Sequence, residues 1–147
     1  MKAWALVTCT VVNGYLLGVM VLFAAVEYPG FGTVDRSAFA QLYSGFTGRI
    51  GGPVVLLEFA ALLATLALYV ARPESSPLGA VHALLILGVA YFVITFAWHL
   101  PSHRALASGE NGSAALAPLL QSQWARTGVQ VGRVAVLMAL CARAMGG

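Results

Sequence analysis

Three long apolar runs constrain this chain more than any other feature: Ala3 to Val26, Gly52 to Ala71 and Leu78 to Leu100. Each has about the 20 residues that a helix needs to cross roughly 30 Å of hydrocarbon. A fourth candidate, from about Pro118 to Arg143, carries several polar residues and opens on a proline, which suits the first turn of a helix. We therefore predict an all-α fold, an integral membrane bundle of four antiparallel helices.

The overall composition agrees with a membrane location. Hydrophobic residues make up 60% of the chain and charged residues only 9%, against about 25% charged residues in soluble proteins. No repeat or change of composition divides the 147 residues, so residues 1–147 are predicted to form a single domain. The eight Lys and Arg residues are scattered. We therefore expect membrane lipid and no nucleic acid as a partner.

The connections between the spans differ in character. RPESSPLG is short and polar, so spans two and three should be antiparallel neighbours. Before span two, a cap candidate at Thr33 or Asp35 precedes apolar residues at helical spacing from Phe39 to Ile50. This pattern predicts a short helix between spans one and two, either in the membrane interface or packed on the end of the bundle. ALASGENGSAALAP is predicted to be an exposed loop.

Most polar residues fall near the ends of spans that an antiparallel bundle brings to one membrane face. They are Glu27, Arg49, Glu58, His99, His103, Arg104, Gln123, Arg126, Gln130 and Arg133. A charge at mid-span costs at least about 2.5 to 3.5 kcal/mol, so we expect Glu58 to pair with Arg126 or Arg133, and Glu27 with Arg49. Two interpretations stay open: ion pairs that fix helix register, or a polar pocket with a function.

In the pocket interpretation, the polar side chains divide into reactive and binding groups. Glu58 and His103 are the acid and base candidates, and Arg126 and Arg133 would hold an anionic or enolate-like oxygen. The predicted ligand-binding residues are Arg49, Tyr43, Trp98, Trp124, Gln130 and His99. The aromatic members could instead form an interfacial belt.

A metal site is a weaker hypothesis. His99 and His103 are four residues apart and, with Glu27 and Glu58, would resemble the carboxylate and histidine pattern of metal-binding bundles. Two acids are few for such a site, and the nearby arginines would repel a cation. We therefore predict no metal; haem on a single histidine is a further alternative, and the cofactor stays unknown.

Four motifs, YPGF, RIGGPVVLLE, PSHRALASG and QSQWARTGVQVGR, give the chain a resemblance to an uncharacterised family of small four-helix bacterial inner-membrane proteins. The resemblance spans roughly residues 20 to 140 and implies a multi-pass protein of the bacterial inner membrane. The positions that match features of the family pattern are Arg49, Glu58, His103, Trp124, Arg126 and Arg133, whereas Glu27 and His99 depart from it. The WxR element at Trp124 also gives a fainter likeness to anthrone-oxygenase-like membrane proteins.

We predict that the chain binds or converts a lipophilic small molecule, by acid-base or oxygenase-like chemistry. The alternative is a non-catalytic accessory subunit of a larger membrane complex. A second copy of this chain or a partner membrane subunit is a further candidate partner. Transport is less favoured, because four spans are few for a carrier. Whether the protein is an enzyme is left open.

Overall fold

The computed structural model describes residues 2–108 and 112–146, without the side chains of Lys2, Arg36 and residues 112–115. These residues form helices and turns, and no strand occurs among them. The α-helices are α1 (Lys2–Leu22), α2 (Tyr28–Phe31), α3 (Arg36–Val70), α4 (Leu78–Ile94), α5 (Leu100–Ala107) and α6 (Gly112–Gly146), and the π-helical segments Phe23–Glu27 and Thr95–His99 join α1 to α2 and α4 to α5.

Among the described residues, four helical stretches are long and apolar enough to cross a membrane: Ala3–Phe31, Ser37–Val70, Leu78–Ala107 and Leu116–Gly146. Their number and approximate positions confirm the prediction of an all-helical protein with four spans. Together they indicate a multi-pass membrane protein.

The second span is longer than the sequence pattern predicted. Asp35 caps α3, because its carboxylate accepts hydrogen bonds from the backbone N–H and hydroxyl of Ser37 at 2.9 and 2.8 Å. These bonds hold the pKa of Asp35 below its usual value. The helix then continues through Pro53 to Val70, so the short helix predicted before span two is the first part of α3. An interior proline removes one backbone hydrogen bond, which membrane helices tolerate when neighbouring groups compensate.

The fourth helix also begins earlier than predicted. It starts at Gly112, which places Pro118 inside the helix rather than in its first turn. The exposed loop predicted from ALASGENGSAALAP is correspondingly shorter, because helix occupies both its first and its last residues. Residues 109–111 of that loop lie outside the part of the chain that the structure describes.

Each of the two π-helical segments is followed, two residues later, by a proline. Pro29 and Pro101 lack a backbone N–H and cannot donate to the carbonyls four residues earlier. The backbone widens instead: the N–H groups of Tyr28 and Leu100 donate to the carbonyls five residues before them, at Phe23 and Thr95. Such π-helical turns are frequent at functional sites. In this chain both contribute residues to one end of the molecule.

Contacts between the long helices place residues from distant parts of the sequence together. Along the α1 and α6 pair, Thr10 meets Cys141, Asn13 meets Gln130, and Met20 meets Gln123, so the residue numbers run in opposite directions. One end of the molecule has an aromatic core of Phe23, Tyr28, Phe39 and Tyr43 with three leucines, and the other an aliphatic core of Leu6, Leu68, Leu84, Leu137 and Leu140 with Cys9. Most buried polar residues lie between these two cores and beside the aromatic one.

Candidate functional site

A cavity of about 560 Å³ lies against the aromatic core. Its wall is largely apolar, but nine polar side chains from five helical segments line it: Tyr28, Tyr43, Thr47, Glu58, Thr95, His99, His103, Arg104 and Arg126. Apolar walls with a few convergent polar groups are the usual make-up of small-molecule sites. The cavity is therefore the candidate functional site of this protein.

The wall of the cavity between α3 and the helix that runs through α4 and α5 is partly exposed. Val55, Phe59 and Phe96 line it, yet about half or more of each residue is exposed on the outer surface. That surface belongs to helices with the length and composition of membrane spans.

Glu58 and Arg126 form a buried ion pair in the cavity wall. The Nη2 group of Arg126 donates to Oε1 of Glu58, and the hydroxyl of Tyr91 donates to the same oxygen at 2.7 Å. The guanidinium carbon of Arg126 also lies 4.7 Å from the centre of the Tyr91 ring, within reach of a cation-π interaction. Among the described residues none donates to Oε2 of Glu58, so this oxygen can still accept a proton or a hydrogen bond from a ligand.

A glutamine fixes the arginine of this pair from the side of α1. Gln123 donates from its amide nitrogen to the backbone carbonyl of Met20 at 3.0 Å. Its amide oxygen faces Nη1 of Arg126 at 3.4 Å. Because Met20 of α1 orients Gln123, and Glu58 of α3 and Tyr91 of α4 also contact Arg126 of α6, the position of the guanidinium depends on the packing of all four spans.

His99 and His103 form a second polar group, with their Nε2 atoms 3.0 Å apart. The Ser122 hydroxyl donates to the Leu119 carbonyl at 2.8 Å, so it accepts from Nδ1–H of His99 at 2.9 Å. Neutral His99 then has its lone pair on Nε2, which accepts from Nε2–H of His103. This leaves Nδ1 of His103 as the acceptor for the Tyr43 hydroxyl, 2.5 Å away.

These bonds form a directed chain from the cavity into the helix packing. Tyr43 donates to His103, His103 to His99, His99 to Ser122, and the serine to a backbone carbonyl. The Tyr28 hydroxyl also lies 3.2 Å from Nε2 of His103 and is the last member of this polar group. Each imidazole is thereby held in one tautomer, as a general base requires.

Two of the predicted site residues, Arg133 and Gln130, form a separate buried cluster instead of lining the cavity. Arg133 is only 1% exposed, and it donates to Gln130 at 3.1 Å and to the Thr65 hydroxyl at 2.8 Å. No carboxylate of the described residues pairs with it. Since Arg126 and Arg133 are seven residues apart, about 10 Å along a helix, Glu58 can pair with only one of them.

Three other predicted binding residues also lie outside the cavity lining. Arg49 is exposed on α3, and Trp98 and Trp124 are exposed on the outer surface. Their positions suit an interfacial belt, the alternative interpretation of the aromatic residues. The ion pair predicted between Glu27 and Arg49, both of which the structure describes, is not formed.

Sequence reasoning missed two residues that complete the polar groups, Tyr91 and Ser122. A signal existed for the tyrosine, because Tyr91 falls near the middle of an apolar run and a buried phenol needs a hydrogen-bond partner. The serine gave none, since a hydroxyl within a helix often bonds only to its own backbone.

No group of three or more His, Cys, Asp or Glu side chains suited to a metal occurs within the described ranges. Comparisons with protein-family models, with curated proteins and with solved structures each gave no match. The family resemblances therefore remain predictions, and functional inference rests on the geometry of the site.

Proposed function

We propose that this protein is an antiparallel four-helix bundle of the bacterial inner membrane that binds a lipophilic small molecule in the lateral cavity. One observation supports the proposal: the cavity joins a largely apolar, partly exposed wall to a buried ion pair and a hydrogen-bonded histidine pair. Such polar groups are costly within a membrane. Fixing the register of four helices does not require both the ion pair and the histidine pair to lie beside an open cavity.

The arrangement also supports acid-base conversion of the bound molecule. Nδ1 of His103 accepts from Tyr43, so a ligand hydroxyl or an acidic C–H in place of the phenol could deliver its proton to the same atom. The hydrogen bond to His99 would share the charge formed on His103, and Arg126 would stabilise negative charge on the ligand. Proton abstraction or isomerisation next to a ligand oxygen is the reaction class that fits this set.

Filling the cavity tests the proposal. Gly51 lines the cavity, and a Cβ atom at this position would meet nothing within 4 Å. Gly51→Leu therefore places a side chain in the ligand's space while keeping the fold. Gly52→Leu is the matched control, because it makes the same change one residue on, where the Cβ is also free and the position is outside the cavity lining.

The measurement is mass spectrometry of organic molecules that remain bound when the protein is isolated from its native membrane. We expect a lipophilic molecule to remain with the wild type and with Gly52→Leu, and to be reduced at least about tenfold with Gly51→Leu, which corresponds to about 1.4 kcal/mol. Equal content in all three proteins, or none in any, would refute the proposal. Either result would favour the alternative of a non-catalytic accessory subunit.

A further inference from the structure

A second apolar depression lies on the outer surface beside the cavity. It has a volume of about 580 Å³, and its walls include Leu62, Val89 and Val93. Gly88 also borders it and contributes no side chain, which deepens the depression. We call this depression the outer groove.

The outer groove and the cavity adjoin each other. Phe92 and Phe96 line both, and their rings are stacked with centroids 6.2 Å apart. A molecule with its polar end among the buried groups would reach the outer groove by crossing these two rings. From Gly88 to Ala97 the groove follows ten residues of helix, a rise of about 13 Å over nine steps.

The two compartments differ in charge. The charged residues that line the cavity are Glu58, Arg104 and Arg126, with one net positive charge, and neutral His99 and His103 add polar atoms. The outer groove is lined by apolar residues alone. A ligand that suits both compartments has a polar, acidic end and a long apolar end.

We propose that the ligand is a single-chain amphiphile with an acidic head group, whose head binds in the cavity and whose chain lies in the outer groove across Phe92 and Phe96. This inference rests on the proposed function and adds the ligand class to it. Acyl chains of the surrounding lipid also contact the groove, but their head groups are not bound in the cavity. The head group of the proposed ligand is bound there, and this holds its chain in the groove. Affinity should therefore depend on chain length.

The test uses two carboxylic acids, hexanoate and palmitate, with purified full-length protein in detergent micelles. Val93 is 57% exposed in the outer groove, and Val131 is 50% exposed on α6 outside the groove. Val93→Trp fills the groove with a bulky side chain, and Val131→Trp makes the same change on another lipid-facing surface. Native mass spectrometry measures the bound fraction of each acid as its concentration is raised.

We expect the wild type and Val131→Trp to bind palmitate more tightly than hexanoate. Val93→Trp should weaken palmitate binding by about tenfold, equivalent to about 1.4 kcal/mol, and leave hexanoate binding within about twofold. If hexanoate binds all three proteins and Val93→Trp retains the full preference for palmitate, the groove assignment is overturned while the proposed function stands. If the wild type binds neither acid, the acidic amphiphile is overturned, and the comparison of Gly51→Leu with Gly52→Leu decides separately whether the cavity binds another lipophilic molecule.

Discussion

Removing one member of the buried ion pair should destabilise the protein much more than removing both. In Glu58→Met, Arg126 stays buried and charged after losing its only carboxylate partner among the described residues. A guanidinium cannot relieve this by losing its proton. Breaking a buried pair in this way costs about 3–5 kcal/mol, so we expect a decrease of that size in the free energy of unfolding.

The double variant Glu58→Met with Arg126→Met removes both charges and keeps apolar side chains of similar length. Such replacements are often neutral or stabilising, so its free energy of unfolding should return to within about 1 kcal/mol of the wild type. Arg126→Met alone should cost less than Glu58→Met, because the remaining carboxylate can take up a proton. Leu56→Met, at an exposed position on the same helix, controls for the methionine itself.

Reversible unfolding in mixed micelles of increasing dodecyl sulfate content, followed by circular dichroism, gives these free energies. The reasoning would be refuted if Glu58→Met unfolded with the free energy of the wild type, or if the double variant were as unstable as the worse single variant. A stable double variant that no longer retains the ligand would show that the pair has a role in binding as well as in folding.

Three further predictions concern other parts of the chain. Ser122→Ala should lower the free energy of unfolding by about 1–3 kcal/mol, because Nδ1–H of His99 loses its acceptor. If ¹⁵N spectra of this variant showed the imidazole tautomers of the wild type, the assigned hydrogen-bond chain would be contradicted. Cys9 is fully buried and Cys141 only partly, so N-ethylmaleimide should modify Cys141 first in folded protein, and equal rates would contradict this packing. The pKa of Asp35 is lowered by its capping bonds, so its contribution to the first turn of α3 is present above about pH 4 and lost as the pH falls through the lowered value; Cα chemical shifts that do not change in acid would contradict the cap.

The sequence was sufficient to predict four spans and one end where polar residues collect. Hydropathy over about 20 residues reports burial in lipid directly, and the alternation of spans places Glu58, His103 and Arg126 at one level. The choice between Arg126 and Arg133 needed the structure. Helical spacing puts both arginines on one face, but only the relative height of α3 and α6 decides which of them faces Glu58.

Local deviations from the expected regular helices account for much of what could not be predicted from the sequence. The continuation of α3 through Pro53 and the two π-helical turns before Pro29 and Pro101 change which residues of a helix face inward. A prediction from regular helical spacing does not include this change. The level of Trp98 and Trp124 along the spans made them candidates for the pocket or for an interfacial belt, and both lie outside the lining of the cavity.

The most direct test of the central claim is an experimental structure of the protein isolated from its native membrane with its bound molecules retained. The account predicts an organic ligand in the cavity between α3 and the α4–α5 helix. Its polar end should contact Arg126, Oε2 of Glu58 or the His103 and Tyr43 pair. A cavity that contains no such molecule, or one closed by side chains from α3, would contradict the account.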